Sequence, residues 1–460
     1  MTKHYESIVV GAGAAGMNCC LELQKGDREY LLISPNIGGR ICNDEVRHMN
    51  YGAVFYFGTY KYMLQSGLMI EGPDVLPKLS MGSCHHDNGK QHEPISPTTA
   101  KDMPSLLRYM KWMREEFIPR YSKFKDDCTV MEVQTALQLD PMINQLYTES
   151  AEHFIERMGF GPIAYDLISM FAHACTGTKI KDLTALDYLN TVQPLTMQIP
   201  PLKLLFCLKR FDFDSEGTKN RLSQGSGDVL IDEVSAVQKL DQGWGVTTAT
   251  GQEFTCDNLV MASPAKDTKA LLEGIEGVPE LDVRRASQLT GYLVRGQINK
   301  DYSDHDLHLF DDTIPIIYIA KRFDGDYEVF TEVDFEETRK FDQYFDSWEV
   351  IGKKYWSHAL YTAAHEALPQ LLAPGLIMAG DVNGLGMEPA CISGIYAANV
   401  ILGKNVDGDP ARVTPAPAPA LTGDCPAPES SVKKAAPFVA AGAAAAAAVA
   451  LAVKLLGRRK

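Results

Sequence analysis

A glycine-rich turn near the start of the chain is the first stretch whose residue types could do chemistry. Ile8, Val9 and Val10 form a short apolar run, Gly-Ala-Gly-Ala-Ala-Gly follows at 11–16, and apolar residues then recur at helical spacing. In such a strand–turn–helix the first glycine permits the tight turn, the second lets the backbone approach a pyrophosphate, and the third lets the helix pack on the strand. Amide groups at the helix start then face the phosphates. The predicted dinucleotide-binding residues are Gly11, Gly13, Ala14, Ala15 and Gly16.

The second predicted strand lacks the acidic residue that usually accompanies this turn. Such a strand commonly ends in Asp or Glu, which accepts hydrogen bonds from the ribose hydroxyls of a dinucleotide. Here the run that begins at Tyr30 ends in Ser34, and Gly38, Gly39 and Arg40 follow almost at once. Two glycines allow close backbone approach, and Arg40 supplies a cation for a phosphate. We expect the ribose to contact the neutral hydroxyl of Ser34 or the loop backbone, which lowers cofactor affinity by about 1–2 kcal/mol.

Two further stretches complete the set of motifs. NYGAVFYF stands at 50–57, and GLIMAGDVNGLGMEPACISGIYAANVIL stands at 375–402. The second pattern predicts an apolar strand, an Ala-Gly-Asp turn, a loop and a final helix. The N-terminus of a helix stabilises negative charge that develops beside it. This end of the chain is therefore expected to contribute a helix start to the site.

Together these motifs resemble the flavin-containing amine oxidase superfamily, which includes monoamine and polyamine oxidases, protoporphyrinogen oxidase and the carotenoid desaturases. The resemblance implies FAD as the cofactor. In that superfamily the segment matched by Gly52, Ala53 and Val54 runs its backbone along the isoalloxazine. The acid matched by Asp381 binds a ribityl hydroxyl, and the helix start matched by Met387 directs amide groups at the pyrimidine end of the flavin.

The resemblance also implies how the reaction site is built. The covalent monoamine oxidases carry their linking cysteine directly before Tyr-Thr-Ala, whereas Leu360 precedes Tyr361 here, so the FAD is expected to be non-covalent. Amine oxidases hold the amine between two aromatic rings above the flavin. Tyr361 matches one ring, as the predicted catalytic residue, and Gly386 stands in place of the other. This half-open cage favours larger amines and apolar ring or polyene substrates over small primary amines.

The expected function is therefore an FAD-dependent oxidoreductase. It would take a hydride from a C–H bond of a small-molecule substrate, either an amine or a lipophilic ring or polyene compound, to flavin N5, and pass the electrons to O2 or to another acceptor. The alternative is a non-catalytic flavin-binding protein, either a membrane-anchored scaffold or a chaperone-like protein. The complete set of cofactor motifs favours the enzyme.

The motifs also divide the chain. Because 460 residues are too many for one ordinary core, two folded domains are expected. The fold class predicted is α/β, with a Rossmann-like FAD-binding domain assembled from 1–60, 204–270 and 360–403. An inserted α+β substrate domain is predicted from 61–203 and 271–359.

The C-terminal part of the chain has a different composition. Residues 404–432 are rich in Pro and Ala, which is typical of an extended linker. Between Ala435 and Val453 no residue is charged, and basic residues follow. Roughly 20 helical residues cross a hydrocarbon core of about 30 Å. We expect 433–460 to be a single-pass anchor in the membrane of an unspecified organelle, with the catalytic body facing the cytosol. The alternative is a low-complexity Ala-rich tail.

The bulk composition argues against other classes of function. A net charge of −15 disfavours nucleic-acid binding. Ten cysteines without CxxC pairing or framework spacing indicate reduced thiols. The histidine-rich stretch SCHHDNGKQHE at 83–93 is flanked by turn residues, and no matching ligand pair stands out elsewhere, so a polar loop without a metal ion is expected there.

Overall fold

The computed structural model describes residues 2–44, 46–57, 60–71, 82–94, 96, 101–196, 208–283, 286–361 and 366–407. The strands are β1 Lys3–Ala12, β2 Tyr30–Ile37, β3 Asn43–Asp44, β4 Met49–Asn50, β5 Phe55–Phe57, β6 Ile70–Glu71, β7 Gly82–His85, β8 Gln91–His92, β9 Leu208–Asp212, β10 Gly227–Ile231, β11 Val234–Lys239, β12 Trp244–Thr248, β13 Glu253–Met261, β14 Ala286–Ile298, β15 Leu307–Phe310, β16 Ile316–Lys321, β17 Tyr327–Thr331, β18 Phe345–Tyr361, β19 Leu371–Ala373 and β20 Leu376–Met378.

The α-helices are α1 Ala14–Lys25, α2 Tyr62–Ser66, α3 Met103–Trp112, α4 Ile118–Asp127, α5 Val133–Leu139, α6 Pro141–Thr148, α7 Ala151–Met158, α8 Met170–Thr176, α9 Ala185–Thr196, α10 Ser215–Leu222, α11 Ala265–Leu272 and α12 Met387–Ile401. Single π-helical turns lie at Met113–Phe117 and Ala164–Ser169, and short 3-10 turns at Ile180–Asp182, Lys300–Tyr302 and Lys340–Gln343.

The first sheet has the order β10-β2-β1-β13-β12-β11, and β20 pairs with the end of β13. Its central strands are parallel, with Val9 opposite both Leu32 and Val260. These side chains are completely buried. Since a parallel sheet is covered on both faces, its strands are continuous apolar runs rather than alternating ones. The apolar run before the glycine-rich turn therefore becomes the middle strand of this sheet.

Helices α1 and α12 pack directly on each other beside this sheet. A Cβ on Gly394 in α12 would overlap the backbone of Ala15 in α1, so the two helices approach more closely than any larger residue permits. The contact brings the middle of the last helix against the N-terminus of the first. The two ends of the chain thereby build one site.

The second sheet has the order β18-β14-β17-β16-β15-β7-β8. It is antiparallel apart from the parallel pair β15–β7. The long strands β14 and β18 form one edge, and the β7–β8 hairpin forms the other. Helices from 101–196 pack in the same apolar core as α1 and α12. Smaller sheets pair β3 with β4, and β5 and β6 with β9.

The two large sheets draw on different parts of the chain. The first takes its strands from 3–37, 227–261 and 371–378, and the second from 82–92 and 286–361. Residues 408–460, which include most of the predicted linker and all of the predicted anchor at 433–460, lie outside the described residues. In the described ranges, no helix has both the length and the apolar character needed to cross a bilayer.

Candidate functional site: a cavity between the two sheets

At two glycines of the glycine-rich turn an added side chain would collide with protein, and at the third it would not. A Cβ on Gly11, whose φ is +103°, would lie 2.6 Å from the carbonyl oxygen of Ala262, and a Cβ on Gly16 would overlap the carbonyl oxygen of Gly11. A Cβ on Gly13 would meet no protein atom within 4 Å. Gly13 instead lines a cavity, and α1 begins beside it without a side-chain cap. Its first amide groups are therefore available to a ligand.

The loop after β2 is short because the strand continues to Ile37. The amide of Gly38 then donates to the carbonyl of Ala12 at 2.8 Å, which holds the loop against the glycine-rich turn. A Cβ on Gly39 would lie 3.0 Å from the Cα of Gly13, so this glycine permits a close backbone contact. Gly38 lines the cavity. The pyrophosphate end of the predicted site is thus assembled from the residues that the motif predicts.

Ser34 does not reach this site. Its side chain is buried, and its hydroxyl donates to the backbone carbonyl of Asn36 at 2.7 Å. It is absent from the cavity lining. The prediction that Ser34 replaces the usual acid at the ribose is therefore not supported by its position. Because β2 extends to Ile37, Ser34 lies within the strand and not in the loop that follows it.

Arg40 and Asp381 form a bidentate ion pair in the cavity wall. The guanidinium donates to Oδ2 at 2.8 Å and to Oδ1 at 2.6 Å, and also to the carbonyl of Ala359 at 2.7 Å. Burial by itself would lower the pKa of Arg40, but the adjacent Asp381 carboxylate outweighs it and the pKa is raised. The two charges that the motifs predict separately, one for a phosphate and one for a ribityl hydroxyl, are coupled here.

The segment at 52–54 lies across the backbone of Arg40. The amide of Ala53 donates to the carbonyl of Arg40 at 3.0 Å, and a Cβ on Gly52 would overlap that same carbonyl. Gly52, Ala53 and Val54 all line the cavity. This is the position that the resemblance implies for a backbone running along a ring system.

The final helix supplies the far end of the cavity. Met387 is the first residue of α12 and lines the cavity, and Gly386 precedes it with a φ of +107° and no side-chain cap. The loop before it is held by Asp187, a residue that the motifs do not identify, whose Oδ1 accepts the amide of Leu385 at 2.9 Å. Burial raises the pKa of Asp187 from 3.8 to about 6. The amide groups at the start of α12 are thus fixed toward the cavity.

Glu388 is a second residue that sequence reasoning missed. Its buried carboxylate accepts the amides of Lys61 at 2.7 Å and Met63 at 2.8 Å, at the start of the short helix α2. The Nζ of Lys125 lies 3.5 Å from the same carboxylate. An acidic residue in the first turn is typical of a helix start, but nothing in the sequence predicts that Glu388 accepts hydrogen bonds from α2.

Tyr361 does not form a wall of the cavity. Its ring is buried in the core on the other side of the first sheet, and its hydroxyl accepts the amide of Lys266 at 3.2 Å. Ala359 and Leu360 line the cavity instead. Trp356 and Leu360, four residues apart on β18, both line the cavity, so the adjacent Tyr361 faces the other side of the strand. The predicted catalytic role of Tyr361 therefore loses its structural basis.

Aromatic side chains from the second sheet close the cavity opposite the glycine-rich turn. Tyr318 and Phe330 stack with ring centroids 5.1 Å apart, and Trp356 donates its indole N–H to the carbonyl of Tyr51 at 2.8 Å. Leu289 and Ile317 add aliphatic surface, and 174–177 complete the wall. We call this part the chamber. The sequence pattern identifies these stretches as strands but gives no signal that they face a ligand.

The whole cavity encloses about 1520 Å³ free of protein atoms, including the part that opens to solvent. The charged residues in its described lining are Arg40 and Asp381, which neutralise each other. The cavity thus runs without net charge from the glycine-rich turn into the chamber.

Comparisons with known proteins identify the fold. No family model matches the sequence, and no curated protein matches it. Solved structures do match. A triple mutant of putrescine oxidase made to redesign cofactor binding has a TM-score of 0.61 at 15% identity, over 88% of this chain and 100% of its own. The fatty acid isomerase of P. acnes that produces CLA has a TM-score of 0.64 at 13% identity, over 87% of this chain and 98% of its own.

A third structure, from Exiguobacterium sp. 255-15 and assigned as a protoporphyrinogen oxidase, has a TM-score of 0.56 at 13% identity. It covers 88% of this chain and 99% of its own. At such identities the likeness shows the fold. The chain thus shares the α/β fold of these structures over most of its length.

Proposed function

We propose that this chain, which has the flavin amine oxidase fold, is an FAD-dependent oxidoreductase acting on a lipophilic substrate whose reacting part is apolar and uncharged. One observation carries the proposal. A single cavity runs from the uncapped start of α1 at Gly13, past the Arg40–Asp381 pair, to the start of α12 at Met387, and then opens into the chamber. A dinucleotide with a long flavin end and a separate substrate would fill such a cavity.

The residues present fit FAD. Gly13 offers a cradle in which a Cβ would meet no protein, and α1 directs uncapped amide groups there, as a pyrophosphate requires. Gly52 and Ala53 present backbone to the middle of the cavity. Met387 begins the helix at its far end. Leu360, which stands directly before Tyr361 where the covalent relatives carry their linking cysteine, lines the cavity, so we expect the FAD to be held without a covalent bond.

The protein supplies position, desolvation and charge stabilisation. When bound, FAD supplies the two-electron chemistry by accepting a hydride. The N-terminus of α12 places its positive dipole end and free amides where negative charge would develop, and Asp187 holds that helix start in place through Leu385. Arg40, neutralised by Asp381, adds no net charge to the wall. The apolar chamber excludes water from the reacting bond.

The chamber favours an apolar substrate over a charged amine. Its wall at Leu289, Ile317, Tyr318 and Phe330 offers no carboxylate to an ammonium group. Burying an unpaired ammonium group in such surroundings costs several kcal/mol of free energy. A cost of that size would cancel most of the binding free energy of a small amine. One structural neighbour acts on a fatty acid, and another binds putrescine. The apolar lining supports the first kind of substrate.

We also propose that 433–460 anchors the enzyme in a membrane as a C-terminal tail, with the catalytic body in the cytosol. The uncharged run from Ala435 to Val453 and its basic flank motivate this. A lipophilic substrate would be drawn from the same bilayer. Removal of Lys433–Lys460 should move the protein from the membrane fraction to the soluble fraction with its flavin retained. A truncated protein that still sediments with membranes would contradict the anchor.

The proposed activity is tested on the full-length protein in detergent. It should be yellow, and acid precipitation should release FAD into the supernatant. Under anaerobic conditions, polyene fatty acids or porphyrinogens should bleach the flavin faster than putrescine or benzylamine, and O2 or an artificial acceptor should restore the colour. Colourless folded protein that ignores added FAD would refute the cofactor, and a yellow protein that no C–H donor bleaches would favour the non-catalytic alternative.

A matched pair of variants tests the chamber itself. Leu289→Glu places a carboxylate in the wall and should shift preference toward amines by about tenfold or more, because it supplies the missing counter-charge. Leu289→Gln has nearly the same size without the charge and should lower activity without that shift. Equal preference in both variants would mean that the substrate does not contact this wall.

A further inference from the structure

The β7–β8 hairpin carries two histidines whose rings face each other. Nε2 of His86 lies 3.1 Å from Nε2 of His92, and the ring centroids are 5.3 Å apart. The hairpin pairs Cys84 with His92, and His86 follows Cys84 by two residues, so both imidazoles lie on one face of the sheet edge. The tight turn closed by Lys90 and Gly89 fixes this register.

A carboxylate from a distant segment completes the group. Asp166 lies in the single π-helical turn Ala164–Ser169, a local distortion that often marks functional sites. Its Oδ1 is 3.8 Å from Nε2 of His86, and the three potential ligand atoms lie within 4.8 Å of one another. The side chains of His86 and Asp166 are each 13% exposed. His86 and Asp166 are 80 residues apart in the chain, so no local pattern links the aspartate to the histidines.

Second contacts set the rings for metal binding. The Nδ1–H of His92 donates to the carbonyl oxygen of Glu93 at 3.0 Å, which leaves the lone pair on Nε2. Nδ1 of His86 faces Oδ2 of Asp311 at 3.8 Å. Asp311 is itself fixed, because that oxygen accepts the amide of Asp87 at 2.9 Å. The neutral tautomer of His86 can therefore carry its proton on Nδ1, toward Asp311, and leave the lone pair of Nε2 for a metal ion.

The spacing matches one kind of ion. Two ligands at the zinc–nitrogen distance of about 2.0–2.1 Å lie roughly 3.3 Å apart at a tetrahedral angle. The two Nε2 atoms are already at 3.1 Å, so only the Asp166 oxygen has to close in by about an ångström. The Nζ of Lys90 occupies the other oxygen, Oδ2, at 2.8 Å and leaves Oδ1 free to turn. Imidazole ligands favour zinc-like transition metals over calcium or magnesium.

We propose that His86, His92 and Asp166 bind one divalent transition metal ion of the zinc class, with a water molecule in the fourth position. The ion joins the hairpin at the edge of the second sheet to the π-helical turn that leads into α8. Residues 174–177, at the end of α8 and just after it, form part of the chamber wall. The site therefore fixes the chamber from outside and takes no part in redox chemistry.

The test titrates the full-length protein, cleared of metal with a chelator, against ZnCl2. Calorimetry should show one equivalent bound, and the thermal unfolding midpoint should rise by about 3 °C or more at saturating zinc. MgCl2 and CaCl2 should produce neither effect. X-ray absorption at the zinc edge should show imidazole nitrogens at about 2.0–2.1 Å.

Variants separate this site from other histidines. His92→Asn and Asp166→Asn should each weaken zinc binding at least about tenfold while the flavin content stays the same. His305→Asn is the matched control, because its ring lies near the same hairpin, 3.6 Å from Glu93, but offers no atom to the group. Failure of wild type to bind zinc, or equal zinc binding by all three variants, would show that His86 and His92 form a hydrogen bond and nothing more.

Discussion

The two halves of the cavity are built in opposite ways. The half at the glycine-rich turn is backbone, because Gly13, Gly38 and Gly52 present main chain to the cavity. A Cβ at Gly38 or Gly52 would collide with neighbouring protein atoms, whereas one at Gly13 would enter open space. The chamber is side chain: Tyr318 and Phe330 define its surface. Backbone built from glycines admits little substitution, whereas a side-chain wall can change while the strands stay in place. The first half fixes what kind of cofactor fits, and the second sets what substrate fits.

The largest effect should separate glycines that serve the fold from the one that serves the ligand. Gly16→Ala would press a methyl group into the carbonyl of Gly11 and should destabilise the protein by about 3 kcal/mol or more. Gly13→Ala meets no protein atom and has an ordinary φ of −79°, so stability should not change. FAD affinity should nevertheless fall at least about tenfold, because the methyl group occupies the cradle.

Chemical denaturation and flavin titration on both variants check this contrast. Denaturation followed by fluorescence measures the free energy of unfolding, and the flavin titration measures the affinity for FAD. If Gly13→Ala binds FAD as wild type does, the pyrophosphate does not lie at Gly13. In that case the backbone half of the cavity has another purpose.

The coupled charges come next. Asp381→Asn breaks the bidentate pair and leaves Arg40 without its carboxylate, which should cost about 2–3 kcal/mol, since the pair is only partly shielded from solvent. The double variant Arg40→Gln with Asp381→Asn should lose less than the sum of the two single variants. A double-mutant cycle by urea unfolding measures the coupling. Strict additivity would mean that the pair contributes nothing beyond its separate contacts.

A smaller effect should depend on pH at Asp187. Its pKa is raised from 3.8 to about 6, so between these values the folded chain keeps a proton that the unfolded chain has lost. Stability therefore falls as pH rises from about 4 to about 6, and the loss is complete above pH 6. Asp187→Asn keeps the acceptor for Leu385 and should gain about 1–2 kcal/mol at pH 7.5 but not at pH 4.

The control for this pH effect is Asp182→Asn, which alters an exposed acid shortly before α9. Urea midpoints measured from pH 4 to pH 8 should differ between wild type and Asp187→Asn only at the higher pH values. Parallel curves for the two proteins would show that Asp187 is ionised throughout. The helix start of α12 would then be held by a charged group.

The smallest effect should be at Tyr361. Tyr361→Phe removes only the hydroxyl that accepts the amide of Lys266, which should cost about 0.5–1.5 kcal/mol of stability. Steady-state turnover should not change, because the ring lies outside the cavity. Phe330→Leu, which alters the chamber wall, should instead raise KM. A turnover defect in Tyr361→Phe with unchanged stability would restore the catalytic role that the resemblance implies.

The sequence by itself determined the cofactor half of the cavity. Gly11, Gly13 and Gly16 are close together in the chain, and the strand, turn and helix that they join are local structure, so their spacing carries the geometry. The fold class could be predicted for the same reason, because the motifs near 11–40 and 375–402 each include a strand of the first sheet. Even the shortened loop before Gly38 was visible, although the displacement of Ser34 was not.

Only the tertiary structure decided the rest. The pairing of Arg40 with Asp381 joins residues more than 300 positions apart, and the chamber takes its wall from several strands and a helix. The way β18 packs over the cavity decides which of its faces forms the wall, so that Leu360 lines the cavity and Tyr361 lies in the opposite core. Sequence spacing describes neighbours along one strand or helix. Contacts between distant segments depend on packing and register, which no local pattern records.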